Sequence, residues 1–71
     1  MNIDIKRRLK NKTRYIHGLT EVLEFEIDIL RKHIAECNLT KIKESVSEIE
    51  KTLQKLALIT NEIEYILNLD N

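Results

Sequence analysis

The sequence has no proline and no tryptophan, one glycine, one cysteine and three aromatic residues in 71 positions. Its twelve basic side chains are matched by twelve acidic ones. Each shortage excludes something. With no proline and only Gly18 to break a helix, turn signals are too few for a chain of short strands. With Cys37 alone, no intrachain disulfide can form, and two histidines beside it show no ligand spacing, so neither a structural zinc nor another cofactor is expected. No apolar run approaches the roughly 18 residues of a membrane span. The N-terminus is charged and lacks the apolar stretch of a secretory signal, so the chain reads as a cytoplasmic protein. No glycine-rich phosphate loop, nucleophile elbow or paired metal motif occurs, and an enzyme is not expected.

What the sequence has is helical periodicity. Ile42, Val46, Ile49, Leu53, Leu56, Ile63 and Leu67 recur at steps of three and four, the spacing of one helix face. In the first half Ile16, Leu19, Leu23, Ile27, Leu30, Ile34 and Cys37 form a similar stripe, which extends back to Leu9 and Ile5 with Lys12 as an outlier. The one break is Cys37-Asn38-Leu39-Thr40. Asn38 tolerates the left-handed conformation that ends helices, and Thr40 suits an N-cap. The pattern therefore predicts an all-α, single-domain chain over 1–71. It consists of a first helix from about Ile3 to Cys37, a turn at 38–40, and a second helix from about Thr40 to Leu69. So short a link makes the helices antiparallel, giving a coiled-coil-like two-helix hairpin. Gly18 leaves an alternative in which a separate N-terminal helix ends at His17 and Thr20 caps the next.

A domain this small is marginal without a staple, and with disulfide and metal excluded the remaining source of stability is association. The apolar inventory agrees. Tyr15, Val22, Phe25 and Ile29 lie off the first stripe, and Leu58, Ile59, Tyr65, Ile66 and Leu69 lie off the second. A two-helix hairpin buries one stripe per helix, so the remainder marks an interface that would complete a bundle, by dimerisation or with a partner. The partner-binding residues expected are Val22, Phe25, Ile29, Leu58, Tyr65 and Leu69.

Charge is distributed unevenly. Residues 1–17 hold six basic groups, Lys6, Arg7, Arg8, Lys10, Lys12 and Arg14, against Asp4, a net +5; residues 18–71 hold six basic and eleven acidic groups, a net −5. In the hairpin register Glu64 falls opposite Arg14, Asp70 near Arg8 and Glu62 one turn away, so the acidic end of the second helix is expected to neutralise the basic start of the first. The competing reading gives Lys6, Arg7, Lys10 and Arg14 to nucleic-acid phosphates. His33 and His17 are expected at the solvated rim, Cys37 in the core. Glu21, Glu24 and Asp28 are a solvated acidic face, since a two-helix protein offers no pocket to perturb them.

The order of parts resembles the small helical-hairpin co-chaperones of type III secretion systems. The likeness covers a helix from about Leu19 to Cys37, a short link, and a second helix from Ile42 to Leu69 whose end, Ile59-Thr60-Asn61-Glu62-Ile63-Glu64-Tyr65-Ile66, is apolar with one aromatic. It spans about residues 14–69 and carries no functional residue over. It implies a cytoplasmic adaptor that covers apolar surface of a secretion-system subunit and blocks its premature assembly. The basic stretch before Arg14 departs from that pattern. A homodimeric four-helix RNA- or DNA-binding regulator, similar to plasmid-type RNA-binding hairpins, would use it. A small inhibitor docking on a host protein would share the apolar interface of the first reading.

Overall fold

The structure, a computed structural model, describes residues 2–69. Two helices make it up: α1, Ile3–Ala35, and α2, Leu39–Leu69. They pack antiparallel along their length as a hairpin 52 Å long and 15 × 10 Å across. The length follows from the rise of about 1.5 Å per residue over some thirty residues. Asn2 starts α1 by accepting the Asp4 amide on its side chain at 2.7 Å, and Asp4 places negative charge in the first turn. The helix then continues through Gly18 without interruption.

The turn differs in detail from the expected one. α1 ends at Ala35, two residues early. Cys37 takes the left-handed conformation (φ 54°), while the Asn38 amide donates to the His33 carbonyl at 3.1 Å and the Cys37 amide to the Ile34 carbonyl at 3.0 Å. That paired closure is a Schellman motif. Asn38 is thereby freed to cap α2, its side-chain oxygen accepting the Lys41 amide at 3.2 Å. Thr40, expected to be the cap, lies inside α2, and Cys37, expected in the core, is exposed. One asparagine serves both helix ends, and the link, residues 36–38, lies about two positions earlier in the chain than the pattern predicted.

The helix–helix seam also takes a different phase. On α2 the residues turned away from solvent are Ile42, Ser45, Ile49, Thr52, Leu56, Ile59, Ile63 and Ile66. On α1 they are Ile5, Leu9, Lys12, Ile16, Leu19, Leu23, Glu26, Leu30 and His33, flanked by Thr20, Ile27 and Ile29. Both series alternate steps of three and four, an average of about 3.5 residues, which is the coiled-coil repeat. Ile66, Ile59 and Leu19 are the most buried apolar side chains, Ile66 at 1% exposure. Ile59 and Ile66 were expected among the surplus; Val46, Leu53, Leu67 and Ile34, expected in the core, are exposed.

The shift has a physical cause in the polar residues that alternate with apolar ones in the seam. Thr52, 4% exposed, donates its hydroxyl to Glu26 Oε1 across the interface at 2.5 Å. Ser45 is buried near the turn. Short side chains at 45 and 52 let the helices approach, and the long polar residues of α1 fill the space left. Choosing only apolar residues selects the neighbouring line, 46–53–67, one position away on the helix.

Candidate functional site

Seven-residue spacing sorts the exposed side chains to two opposite flanks of the seam. On the first flank, immediately before the seam residues, α1 carries Arg8, Tyr15, Val22 and Ile29, with Asn11 and Phe25 beside them. Two shallow grooves run along it. One is lined by Arg8, Asn11, Lys12 and Tyr15 of α1 and by Lys55, Leu58, Ile59 and Glu62 of α2. The other, nearer the turn, is lined by Val22, Phe25, Glu26, Ile29 and His33 with Lys41, Glu44, Ser45 and Glu48. Tyr65 and Leu69 stand seven residues beyond Leu58 and Glu62 and continue this flank.

All six residues expected to bind a partner therefore lie on one side of the hairpin. Phe25 is 66% exposed, Tyr65 63% and Leu58 62%; Val22 and Leu69 are also exposed, and Ile29 is half-buried at the groove floor. The six form two clusters. Val22, Phe25 and Ile29 lie toward the turn, and Leu58, Tyr65 and Leu69 toward the open end, where Tyr15 joins them. Sequence reasoning missed the opposite flank, where Val46, Leu53 and Leu67 follow the seam directly on α2 and Ile34 on α1. Their regular spacing alone predicts a core line, one position away on the helix from the line that the structure turns inward.

Polar groups also stand in the seam. Lys12 Nζ reaches Glu62 across the helices at 2.5 Å. This is the cross-helix ion pair among the described residues, and it involves Glu62 where Glu64 had been expected to pair with Arg14. The Arg8–Asp70 pairing lies outside the described residues. Lys6, Arg7, Lys10 and Arg14 are all exposed, and among the described residues Arg7 alone of these has a carboxylate within 4 Å, Asp4 on its own helix at 3.7 Å. The basic face is thus left open to solvent. His33, expected at the rim, is half-buried, and its Nδ1 lacks a hydrogen-bond partner, the nearest carboxylate, Glu36, standing 3.8 Å away. No group of three or more histidine, cysteine, aspartate or glutamate residues that could hold a metal occurs among the described residues. Nor is either helix long and apolar enough to cross a membrane.

No family model, no curated protein and no solved structure matches the chain.

Proposed function

We propose that this chain is a non-enzymatic protein–protein interaction module whose grooved flank covers the apolar surface of a helical partner. The observation that carries the reading is the gathering of Val22, Phe25, Ile29, Leu58, Tyr65 and Leu69 on one side of a hairpin whose seam they do not enter. Large apolar side chains held out of a small core mark a binding surface. A rigid two-helix scaffold presents them at the spacing that helix-in-groove docking or bundle completion uses. The role that fits is an adaptor or co-chaperone, such as one that masks a subunit of a secretion system until assembly. Phe25→Asp and Leu58→Asp each place a charge in this surface without touching the seam. Both should abolish complex formation while leaving helicity by circular dichroism largely unchanged; co-purification of both variants at the wild-type level would refute the reading.

One observation favours a second reading, a nucleic-acid-binding hairpin. Lys6, Arg7, Lys10 and Arg14 find no acid on α2 among the described residues. If these four bind phosphates, affinity for RNA or DNA should fall steeply with salt, by a log–log slope of roughly −0.7 to −0.9 per phosphate neutralised. Absence of any mobility shift at low salt would eliminate it.

A further inference from the structure

We propose that the occupant of the grooved flank is a second copy of this chain, lying antiparallel on the first, with the two α1 helices crossing at Gly18 and the two α2 helices at Leu58. The inference rests on the reading of this flank as an interface and adds the identity of what covers it.

The charge order along α1 is self-complementary. One line of the helix, at seven-residue spacing, reads Arg7, Arg14, Glu21, Asp28. A two-fold axis at the level of Gly18 sets Arg14 beside Glu21 of the second copy and Arg7 beside Asp28 of the second copy, each pair occurring twice. The adjacent line carries Asp4 and Lys32 fourteen residues on either side of Gly18, and the same axis brings them together. Between these lines and the groove, Tyr15 exchanges with Val22. On α2, Leu58 shares a groove with Tyr15, and Lys55 and Glu62 flank it with opposite signs. Rotation about the same level exchanges those as well. Within one chain the four α1 charges have only exposed local neighbours: Arg7 lies 3.7 Å from Asp4, Glu21 pairs with His17 at 2.9 Å, Asp28 lies 3.4 Å from Arg31, and Arg14 has none among the described residues. Such contacts exchange readily for intermolecular ones.

Gly18 is a separate observation. Glycine weakens a helix interior, yet nothing inside the hairpin calls for it. A Cβ added there would meet no atom within 4 Å, and its φ is not positive. A helix crossing at that point gives the missing side chain a purpose, since it lets two backbones come close. The area agrees. A compact protein of 8.4 kDa exposes about 4600 Å², whereas this chain exposes 5627 Å². The surplus of about 1000 Å² is close to the ~800 Å² that each partner contributes to a stable interface.

The test is sedimentation of the full chain over a concentration series, with helicity followed by circular dichroism. The wild type should sediment as a dimer. Arg14→Glu and Glu21→Arg, each reversing two contacts at once, should weaken it about tenfold or more. The double variant R14E/E21R should return to near the wild-type constant, and Gly18→Leu should dissociate the dimer without loss of helix. A folded wild-type monomer at high concentration overturns the proposal. So does a dimer whose charge reversals are not rescued by the double variant. A dimer that is lost in Phe25→Asp but indifferent to the charge reversals and to Gly18→Leu overturns this arrangement while leaving the interface reading in place. A chain that stays monomeric and associates with no other protein removes both.

Discussion

The hydrogen bond between Thr52 and Glu26 makes the seam phase testable by a double-mutant cycle. The bond is 2.5 Å long, joins a hydroxyl that is 4% exposed to a half-buried carboxylate, and links residues on opposite helices. Thr52→Val keeps the shape and removes the donor. Glu26 is then left with its charge in the seam and no donor to hold it, a loss of about 1.5–2 kcal/mol for a hydrogen bond to a charged group. Glu26→Leu acts differently. The Thr52 hydroxyl retains a fallback acceptor, the Glu48 carbonyl at 3.3 Å on its own helix, and a leucine in the seam buries new apolar surface. This variant should be neutral or gain up to about 1 kcal/mol. The pair T52V/E26L carries no stranded polar group and should exceed the wild type, so the two substitutions couple by about 1.5–2 kcal/mol in the sense that the second relieves the first. Urea unfolding followed at 222 nm, at one fixed protein concentration because association shifts the midpoint, measures all four corners. For a chain of this size each kcal/mol also moves the melting temperature by about 4–8 °C. Coupling below about 0.3 kcal/mol would refute the assignment of positions 26 and 52 to a shared layer, since independent sites add to within that error.

Two further outcomes follow from the same geometry. Ile66→Ala should cost about 2–4 kcal/mol because Ile66 is 1% exposed, whereas Leu67→Ala, at 44% exposure, should cost under about 1 kcal/mol in the single chain; equal losses in denaturant titrations would put the seam back on the other line. Cys37→Gly relieves a β-carbon from the left-handed turn and should stabilise the hairpin by about 0.5–1 kcal/mol; a lower melting temperature would show that the Schellman closure depends on the cysteine side chain.

The proposed role stands on where the six apolar residues fall. Periodicity groups Val22, Phe25 and Ile29 on one helix and Leu58, Tyr65 and Leu69 on the other as apolar residues off the expected stripes; that the two groups share a side of the hairpin follows from the phase of the seam. The second apolar flank could not be separated from the core in the same way. Val46 and Leu53 are as apolar as any core residue, and nothing in a one-dimensional pattern says that Ser45 and Thr52 turn inward in their place. The charge pattern likewise predicts a cross-helix ion pair toward the open end without fixing which residues form it. Glu62 and Glu64 are equally acidic, and the choice between them depends on which one stands on the grooved flank within reach of Lys12.

The sequence by itself determined that there are two helices, that they lie antiparallel, and that Asn38 marks the link between them. Those features are local: three-to-four periodicity, the scarcity of breakers and a single capping residue act within a few positions of the chain. It also determined that the chain carries more apolar surface than two rods can hide from one another. The tertiary structure decided which side of each rod faces inward. Neighbouring lines on a helix are separated by only one residue, about 100° of rotation, and both lines on α2 are rich in apolar side chains. The choice went to the line whose small and hydroxyl residues let the backbones approach and pack closely, and whose buried Thr52 finds the partner it needs in a carboxylate on the other helix.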